Sequence, residues 1–547
     1  MSTSFTNFSD DRVIDYLSAT RIILQEGTEN SEVLLQPGSG QASTRPAPEC
    51  RIEPGGFVLL DFGREIQGGL RFVTGRMQGP KARIRVTFGE SVSEACSHPD
   101  YWHALQETTL ELPHLASTPL GELGFRFARL ENLESERSVF LREVMASFQH
   151  RKLQRLASFE CSNPQLNQIW ETAVYTLELC LQNYVWDGIK RDRLVWMGDL
   201  YPELLTAGCI FGRLDVVERS LDFLRQETPL PAMMNGCYTY SIWWILAQYA
   251  WFRLHGHSAY LEAQREYLTA LLKLFASQIC ADGQANFQQG WGLLDWATGT
   301  SQEAAPAILA GNHALLLIAF RRGAELCRKL GEIQCAEECE CATKRMAAFL
   351  PPITESTAAN AFQVLAGLRN AKEVYKNCFA KKLPGGLSTF LGSFVLDACV
   401  LAGQHRKALA WLSQYWGTML EFGATTFWEH FDLKWTQNAA RIDEPVPPGK
   451  RDIHRDSGEG CYQGFRHSLC HGWASLPAVW LQRHVLGVEI LAADQVSLSP
   501  RLSGLAWARG SVYTPFGPIE IEVNSRKFHY SAPPEINIVP HDFLSFP

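Results

Sequence analysis

The sequence predicts a mainly α-helical protein with flanking β structure, in which a central domain of helical hairpins lies between an N-terminal β-sandwich and a small C-terminal β-sandwich. Three observations predict this order. Apolar and polar residues alternate with a period of two over residues 50–150, the period becomes helical near residue 160, and it returns to two after residue 488. We place the three domains at 1–155, 156–486 and 487–547.

The N-terminal domain carries the strand pattern in three stretches. GGFVLLDFGREIQGGLRFVTG and ARIRVTFGES alternate apolar and polar residues and are interrupted by glycine pairs, and LGELGFRFARLENLES continues the pattern. A leading segment at 27–49, which contains Ser and Pro, shows no such alternation. Strands of this length and spacing are typical of a β-sandwich of about 100 residues.

The helical region opens at Asn163-Pro164, an N-terminal cap signal followed by apolar residues at i, i+3, i+4 and i+7. Ten or more helices joined by short and medium loops predict a closed toroid of hairpins, and the lack of a repeat of fixed length argues against a solenoid. Further segments of helical period follow at 200–226, 240–255, 259–279, 302–330, 333–349, 358–380, 388–402, 404–419 and 468–485.

The C-terminal domain has a strand–turn–strand pattern in LAWARGSVYTPFGPIEIEV, with TPFGP as the turn. Both β domains are short. The helical domain is therefore the one with enough residues to enclose a deep pocket.

Composition excludes several functional classes. The net charge of −8 and the lack of a basic tract argue against a nucleic-acid partner. No run of 18 apolar residues predicts a membrane span, and the N-terminus lacks the features of a signal peptide. The 15 cysteines, many within apolar helical patterns, predict buried thiols in the cytoplasm. Cys335, Cys339 and Cys341 form no CxxC and have no paired histidine, so we predict no metal.

The first stretch whose side chains could form a functional site is YVWDGIKRDRLVWMGDLYPE, residues 184–203. Gly188 and Gly198 disfavour a long helix here, so we predict an interhelical loop. Its four carboxylates need the neighbouring cations Lys190, Arg191 and Arg193 for compensation. From spacing alone the stretch is either a site or an ion-pair network that holds the loop.

Three further stretches in the helical region place an acid or an imidazole beside tryptophan. Glu429 follows Trp428, His471 precedes a Gly-Trp pair, and Asp295 precedes Trp296. Each alone is equally compatible with a solvent-facing glutamate, a capping or core histidine, or a paired aspartate. Together they favour a sugar-binding cleft, because glycoside hydrolysis requires two separated carboxylates. The motifs GxSxG and HExxH and a glycine-rich phosphate loop are absent.

These motifs resemble those of bacterial α-L-rhamnosidases, glycoside hydrolase family 78. DGIKRDRLVWMGD is similar to the family's acidic motif, an Asp followed after a few residues by Arg-Asp-Glu-Arg-Leu-Gly-Trp-x-Gly-Asp, and GATTFWEHF is similar to Gly-Ala-Thr-Thr-x-Trp-Glu. LDFGRE, FGES and SLCHGWASLPAVWL resemble further family segments, so the resemblance spans about residues 50–545. It implies an (α/α)6 barrel and an inverting hydrolase that removes terminal α-L-rhamnose, with no cofactor.

The resemblance also implies roles for individual residues. Asp192 would be the general acid and Glu429 the base that deprotonates water. The implied substrate-binding residues are Asp187, Lys190, Arg191, Trp196, Asp295, Trp296, Trp428 and His471. The expected partner is a small-molecule or oligosaccharide rhamnoside, with no nucleic acid and no membrane, and the oligomeric state stays open with a homodimer as one option.

The acidic motif departs from the family at one point. With Arg193-Leu194-Val195-Trp196 kept in register, Lys190-Arg191-Asp192 replaces Arg-Asp-Glu, and Asp192 takes the position of the acid. The other register would place Arg193 there and remove the acid. We prefer the first, because its downstream match is longer. Since adjacent cations lower a carboxyl pKa, we predict that they contact Asp187, Asp199 or substrate rather than Asp192.

Two alternatives stay open. A helical-barrel glycosidase could act on another terminal sugar, such as a glucuronide, whose carboxylate Lys190 would bind. A catalytically inactive carbohydrate-binding relative is the second, and the register that places Arg193 at the acid position would imply it.

Overall fold

The N-terminal part of the computed structural model is a seven-stranded sheet; the structure describes residues 10–97, 106–299 and 301–540. Strand order is β1-β7-β3-β6-β4-β5, with β2 also paired to β3. The long strand β3 breaks register against β6 between Asp61 and Ile66. A short helix, α1 (Val92–Ala95), follows β4. The strands are β1 (Arg12–Ser18), β2 (Arg21–Glu29), β3 (Cys50–Thr74), β4 (Lys81–Gly89), β5 (Gln106–Pro113), β6 (Ser117–Asn132) and β7 (Val139–Arg151).

The central part of the chain is helical, as predicted. It begins after β8 (Ser158–Cys161), and the Asn163 side chain caps α2 by accepting from the Gln165 N–H. The helices are α2 (Pro164–Cys180), α3 (Met197–Ile210), α4 (Asp215–Glu227), α5 (Tyr238–His255), α6 (Ser258–Ser277), α7 (Ala305–Lys329), α8 (Ile333–Ala348), α9 (Thr357–Leu365), α10 (Ala371–Val374), α11 (Ala380–Lys382), α12 (Gly392–Leu401), α13 (His405–Glu421) and α14 (Pro477–Leu481). π-Helical turns at Tyr375–Phe379 and Gln482–Leu486 extend α10 and α14.

The helices form two classes by burial. Helices α3, α5, α9 and α12 are buried on nearly all sides, and every residue of α3 is buried. Helices α4, α6, α8 and α13 bury one stripe and expose the rest. A helix that is apolar all round must lie inside, and one with a single apolar stripe covers it. Helix α7 also buries most of its residues and α10 only one of its four, so inner and outer helices alternate from α3 to α13.

Connections between helices alternate in length. Short turns join α3 to α4, α5 to α6, α7 to α8, α9 to α10 and α12 to α13. Longer segments separate these hairpins. We name them loop 1 (181–196), loop 2 (228–237), loop 3 (278–304), loop 4 (349–356), loop 5 (383–391) and loop 6 (422–476). Loop 6 contains 3-10 turns at Leu433–Thr436, Gly460–Tyr462, Gly464–Arg466 and Gly472–Ser475, and the strands β9 (Ala439–Ala440) and β10 (Arg451–Asp452).

Hydrogen bonds tie the long loops to one another in chain order and the last to the first. In each hydrogen bond the two residues belong to two different loops, or to a loop and the first residue of the helix that follows the other loop. The six loops therefore lie together around one site. The contacts are Met197 N–H to Asn235 Oδ1 (3.0 Å), Trp291 N–H to Gly236 O (3.1 Å), Thr298 Oγ1 with Ser356 Oγ (3.1 Å), Thr357 Oγ1 to Gly386 O (2.5 Å), Thr389 Oγ1 to Glu429 O (2.5 Å) and Gly472 N–H to Asp187 O (2.7 Å).

Two predicted helices were too long. Segment 200–226 is two helices because α3 ends before Gly212, whose φ of +76° stops the helix. Segment 358–380 is broken in the same way after Gly367, with a φ of +72°. The predicted helix at 468–485 has a 3-10 start at Gly472–Ser475 before α14.

The C-terminal part is again strand-rich. Strands β13 and β14 pair antiparallel on either side of the predicted TPFGP turn. Strand β8 joins β13, so residues 158–161 belong to this sheet although the predicted boundary placed them in the helical domain. Among the described residues, none of the helices has the length and apolar character that spanning a membrane requires. The strands are β11 (Val488–Ala492), β12 (Gln495–Leu498), β13 (Trp507–Val512), β14 (Ile519–Asn524), β15 (Phe528–Ser531) and β16 (Asn537–Ile538).

Candidate active site

The centre of the candidate site is an arginine that contacts two carboxylates. Arg191 Nη2 lies 2.6 and 2.5 Å from the two oxygens of Glu429, and Arg191 Nη1 lies 3.3 Å from Asp192 Oδ2. The guanidinium also donates to the carbonyl of Arg466 at 2.8 Å. Because one guanidinium touches both carboxylates, their nearest oxygens lie no more than about 8 Å apart, so a single substrate could reach both.

Glu429 is buried and ionised. Burial alone would raise its pKa, but Arg191, His471 and His467 lower the pKa of Glu429 to about 2. The Ser468 N–H also donates to its carboxylate at 3.2 Å. Glu429 therefore carries no proton at neutral pH, as a general base requires, but its basicity is low while Arg191 is bound to it.

Asp192 stands at the exposed tip of loop 1. Its side chain is 32% exposed, against 5% for Glu429. Asp192 and Arg193 have φ values of +55° and +52°, so two consecutive non-glycine residues occupy the left-handed region. Such backbone strain persists only where the surroundings impose it, and it is concentrated at functional sites.

A second group of predicted residues lies beside the arginine. His471 Nε2 is 2.9 Å from Asp199 Oδ1, and Asp187 Oδ1 accepts the Leu194 N–H at 2.9 Å. Burial raises the pKa of both Asp187 and Asp199, although His471 acts to lower it. His471 Nδ1 is buried without a hydrogen-bond partner. The group therefore combines two carboxyl groups and an imidazole in one buried cluster beside Arg191.

The prediction that the three cations avoid Asp192 was wrong, since Arg191 contacts it. Arg191 contacts Glu429 and Asp192, and Arg193 donates to the Glu122 carbonyl at 2.7 Å. The Lys190 ammonium is buried, 2.7 Å from Glu94 Oε1 and 3.4 Å from Glu90 Oε2. Lys190 was predicted to bind substrate, but these carboxylates already neutralise its charge, so it is not placed to do so.

The predicted aromatic residues have different surroundings. Trp196 is partly buried beside Tyr240, with ring centres 6.2 Å apart, and it caps the start of α3. Trp296 packs against Trp291, which is 40% exposed. Trp428 is 1% exposed and packs edge-on against Phe431. Trp428 therefore belongs to the core and has no open face for a sugar, contrary to its predicted role.

Asp295 lines an open cleft. Ser388 donates to its Oδ2 at 2.5 Å and the Ala297 N–H to its Oδ1 at 3.0 Å, so both carboxyl oxygens have partners within the protein. The cleft has a volume of about 730 Å³ and reaches His430, next to Glu429. Asp295 thus shares a cleft with the neighbour of Glu429 and belongs to a hydrogen-bond network separate from that of Arg191.

The sequence missed several residues that hold the site. Trp473 Nε1 donates to the Glu429 carbonyl at 2.8 Å, and His467 Nε2 accepts the His430 N–H at 3.0 Å. Glu90 lay within the quoted FGES stretch, but the pattern there indicated only a strand. No local spacing could have identified these contacts, because their partners come from distant parts of the chain.

One group of described residues has the ligand types of a metal site. Oxygen and nitrogen atoms of Glu90, Glu94 and His454 lie within 4.8 Å of one another. His454 Nδ1 is 2.8 Å from Ser91 Oγ and its Nε2 is 3.0 Å from the His467 carbonyl, so both ring nitrogens have partners. Lys190 supplies the positive charge. These residues do not fit a metal ion without displacing the lysine.

Comparison with known proteins identifies the helical region. Residues 154–350 match the family model of the bacterial alpha-L-rhamnosidase 6 hairpin glycosidase domain. An alpha-L-rhamnosidase of Alteromonas sp. (strain LOR) is 24% identical over 519 residues, covering 85% of this chain and 53% of that protein. The chain therefore spans about half the length of this relative.

Solved structures share the fold. A GH78 family rhamnosidase of Bacillus sp. GL1 superposes with a TM-score of 0.73 at 21% identity, covering 92% of this chain and 55% of that one. A rhamnosidase from Klebsiella oxytoca with rhamnose bound gives a TM-score of 0.69 at 22% identity, covering 87% and 96%. At identities this low, the comparison shows a shared fold over most of the chain and no more.

Proposed function

The chain is a member of the bacterial α-L-rhamnosidase family through its six-hairpin glycosidase domain, and on that premise we propose that it hydrolyses terminal α-L-rhamnose from rhamnosides. The observation that carries the proposal is the Arg191 guanidinium in contact with both Asp192 and Glu429. It brings together two carboxylates from loops far apart in the chain, and glycoside hydrolysis requires such a pair.

In the proposed mechanism Asp192, in its protonated form, gives its proton to the glycosidic oxygen as the bond from that oxygen to C1 of rhamnose breaks. Glu429 takes a proton from a water molecule, whose oxygen attacks C1 from the opposite face. The products are rhamnose with inverted configuration at C1 and the free alcohol of the aglycone. No cofactor takes part.

Arg191 has two roles in this proposal. In the substrate-free site it lowers the pKa of Glu429, which burial opposes. A sugar hydroxyl that accepts from Arg191 in place of Glu429 would raise the pKa of Glu429 and make it a stronger base. Asp187, Asp295 and His471 are the further hydroxyl-binding residues of the proposal, and Trp196 and Trp296 its apolar walls.

The architecture belongs to the proposal as well. An (α/α)6 barrel is supported by the alternation of inner and outer helices and by the hydrogen-bonded sequence of loops 1 to 6. We keep the domain limits 1–155, 156–486 and 487–547 with flanking β-sandwiches, and β8 crosses the first limit. A cytoplasmic location is supported by 15 free thiols.

Hydrolysis of aryl α-L-rhamnosides tests the activity, and proton NMR of the first-formed sugar tests inversion. The Glu429→Gln variant should lose about 10²–10⁴-fold in kcat, because it cannot accept a proton from water. Asp192→Asn should lose most with poor leaving groups, and Asp192→Glu should keep part of the activity because it retains a carboxyl. Full activity of Asp192→Asn would exclude Asp192 as the acid.

The glucuronide alternative finds less support. It assigned Lys190 to a substrate carboxylate, and the Lys190 side chain is 2% exposed and already paired with Glu90 and Glu94. Cleavage of aryl glucuronides without cleavage of aryl rhamnosides would reverse this preference.

A further inference from the structure

The cation that precedes the Arg191–Asp192 pair is held by the N-terminal part of the chain. Lys190 Nζ lies 2.7 Å from Glu94 Oε1 and 3.4 Å from Glu90 Oε2, and all three side chains are at most 2% exposed. Glu90 directly follows β4, and Glu94 lies in α1. A buried cation between two buried carboxylates fixes the backbone of loop 1 two residues before Asp192.

The same charges also hold loop 6. The Lys190 ammonium donates to the carbonyls of Phe465 and His467, the second at 3.2 Å. Glu90 Oε2 accepts the Leu469 N–H at 2.6 Å. Because loop 6 carries Glu429, this cluster connects the N-terminal sheet to the segments of both candidate catalytic carboxylates.

Loop 1 meets the N-terminal sheet on both sides of Lys190. Ile189 is fully buried in the hydrophobic core of the sheet. A Cβ at Gly124 of β6 would lie 2.6 Å from the Ile189 carbonyl carbon, so the strand and the loop backbone approach as closely as only glycine permits. Arg193 Nη1 donates to the Glu122 carbonyl of the same strand at 2.7 Å. The sheet thus holds residues 189–193 at three successive points.

We propose that Glu90 and Glu94 are positioning residues of the hydrolytic reaction, which act through Lys190 on Asp192 and Arg191. The inference rests on the proposed function. Without the lysine, two buried carboxylates would face each other unpaired, and loop 1 would shift. Since a misplacement of about 1 Å can lower a rate about 10²-fold, the N-terminal sheet controls the acid without touching the substrate.

The test compares Lys190→Met with the control Lys81→Met. Lys81 lies in the N-terminal sheet, is 56% exposed and is paired with Glu111. Two substrates are used, 2,4-dinitrophenyl α-L-rhamnoside, whose leaving group needs little protonation, and phenyl α-L-rhamnoside. For Lys190→Met we expect kcat on the phenyl substrate to fall at least about tenfold more than on the dinitrophenyl substrate, with little change in KM.

The ratio of kcat on the two substrates distinguishes a misplaced acid from a partly unfolded protein. A loss of folded protein would lower both rates equally, whereas a misplaced acid changes their ratio, as Asp192→Asn should. Lys81→Met should keep the wild-type ratio. An unchanged ratio in folded Lys190→Met would overturn the inference. If Lys190→Met does not fold, Glu94→Gln, which keeps the lysine, should change the ratio in the same direction, and an unchanged ratio there overturns the inference equally.

Hydrogen–deuterium exchange gives a readout that does not depend on the reaction. Peptides covering 184–196 should exchange faster in Lys190→Met, and peptides of α5 should not. If the wild type cleaves neither rhamnoside, the proposed function is overturned, but the structural role of Lys190 is not. Hydrogen exchange of residues 184–196 would then decide whether Lys190 holds the loop. Unchanged exchange in that segment would overturn its positioning role.

Discussion

Arg191 and Glu429 form a partly buried ion pair in which one guanidinium nitrogen contacts both carboxylate oxygens, at 2.6 and 2.5 Å, between residues 238 positions apart in the chain. The pair joins loop 1 to loop 6 and lowers the pKa of Glu429 to about 2 against the effect of burial. The arginine therefore keeps the candidate base ionised and also limits its basicity until a substrate competes for the guanidinium.

Arg191→Gln should shift the acidic limb of the pH profile of kcat/KM. In the wild type Glu429 is ionised down to about pH 2. Without the arginine, burial is opposed by the histidines and the Ser468 N–H, so the pKa of Glu429 rises and the base becomes protonated at a higher pH. We expect the acidic limb to move up by about 1–3 pH units. The measurement is kcat/KM on an aryl α-L-rhamnoside from pH 3 to pH 8.

Arg193→Gln is the matched control for this shift. Arg193 lies on the same loop but donates to the Glu122 carbonyl. It should leave the acidic limb unchanged even if the rate falls. A limb that moves equally in both variants, or in neither, would contradict the assignment of that limb to Glu429.

The helical and strand regions were predictable because their apolar periods are local. Asn163-Pro164 correctly marked the start of α2, and TPFGP the turn between β13 and β14. The helix break at Gly212 was missed, since the apolar pattern runs through it and only the backbone conformation shows the turn.

The pairing of charged side chains was less predictable than the helices and strands. The sequence placed Lys190, Arg191 and Arg193 beside four carboxylates of the same stretch, yet Lys190 pairs with Glu90 and Glu94, about a hundred residues away. The resemblance implied a substrate-binding role for Trp428, but its side chain lies in the core. Pairing depends on which loops meet in space, and no local pattern records that.

Glu203→Gln should stabilise the protein increasingly as pH rises. Glu203 is buried in α3, its Oε1 has no hydrogen-bond partner, and burial raises the pKa of Glu203 well above its ordinary value. The folded protein therefore keeps a proton that the unfolded chain releases above about pH 4.5, so this residue weakens folding as pH rises. Glutamine removes that dependence, and we expect a gain of about 1–3 kcal/mol in the free energy of unfolding at pH 7.

Urea unfolding of wild type and variant at pH 5, 6, 7 and 8 measures this difference. Glu266→Gln, an exposed glutamate of α6, is the control and should change the free energy of unfolding by less than about 0.5 kcal/mol. A gain that does not grow with pH would show that Glu203 is ionised in the folded protein.

Gly124→Ala should lower activity from a position outside the helical region. A Cβ at this residue would lie 2.6 Å from the carbonyl carbon of Ile189 and 2.7 Å from its oxygen, so β6 and loop 1 must separate. The displacement passes along the loop toward Asp192, and we expect kcat to fall about tenfold to a hundredfold, with a loss of about 1–3 kcal/mol in stability. Glu122→Ala is the matched control, because it truncates an exposed side chain of the same strand and keeps the carbonyl that Arg193 contacts. Rates on an aryl α-L-rhamnoside, measured well below each variant's unfolding temperature, separate the two effects. A folded Gly124→Ala variant with the wild-type kcat would mean that the sheet does not set the position of the acid.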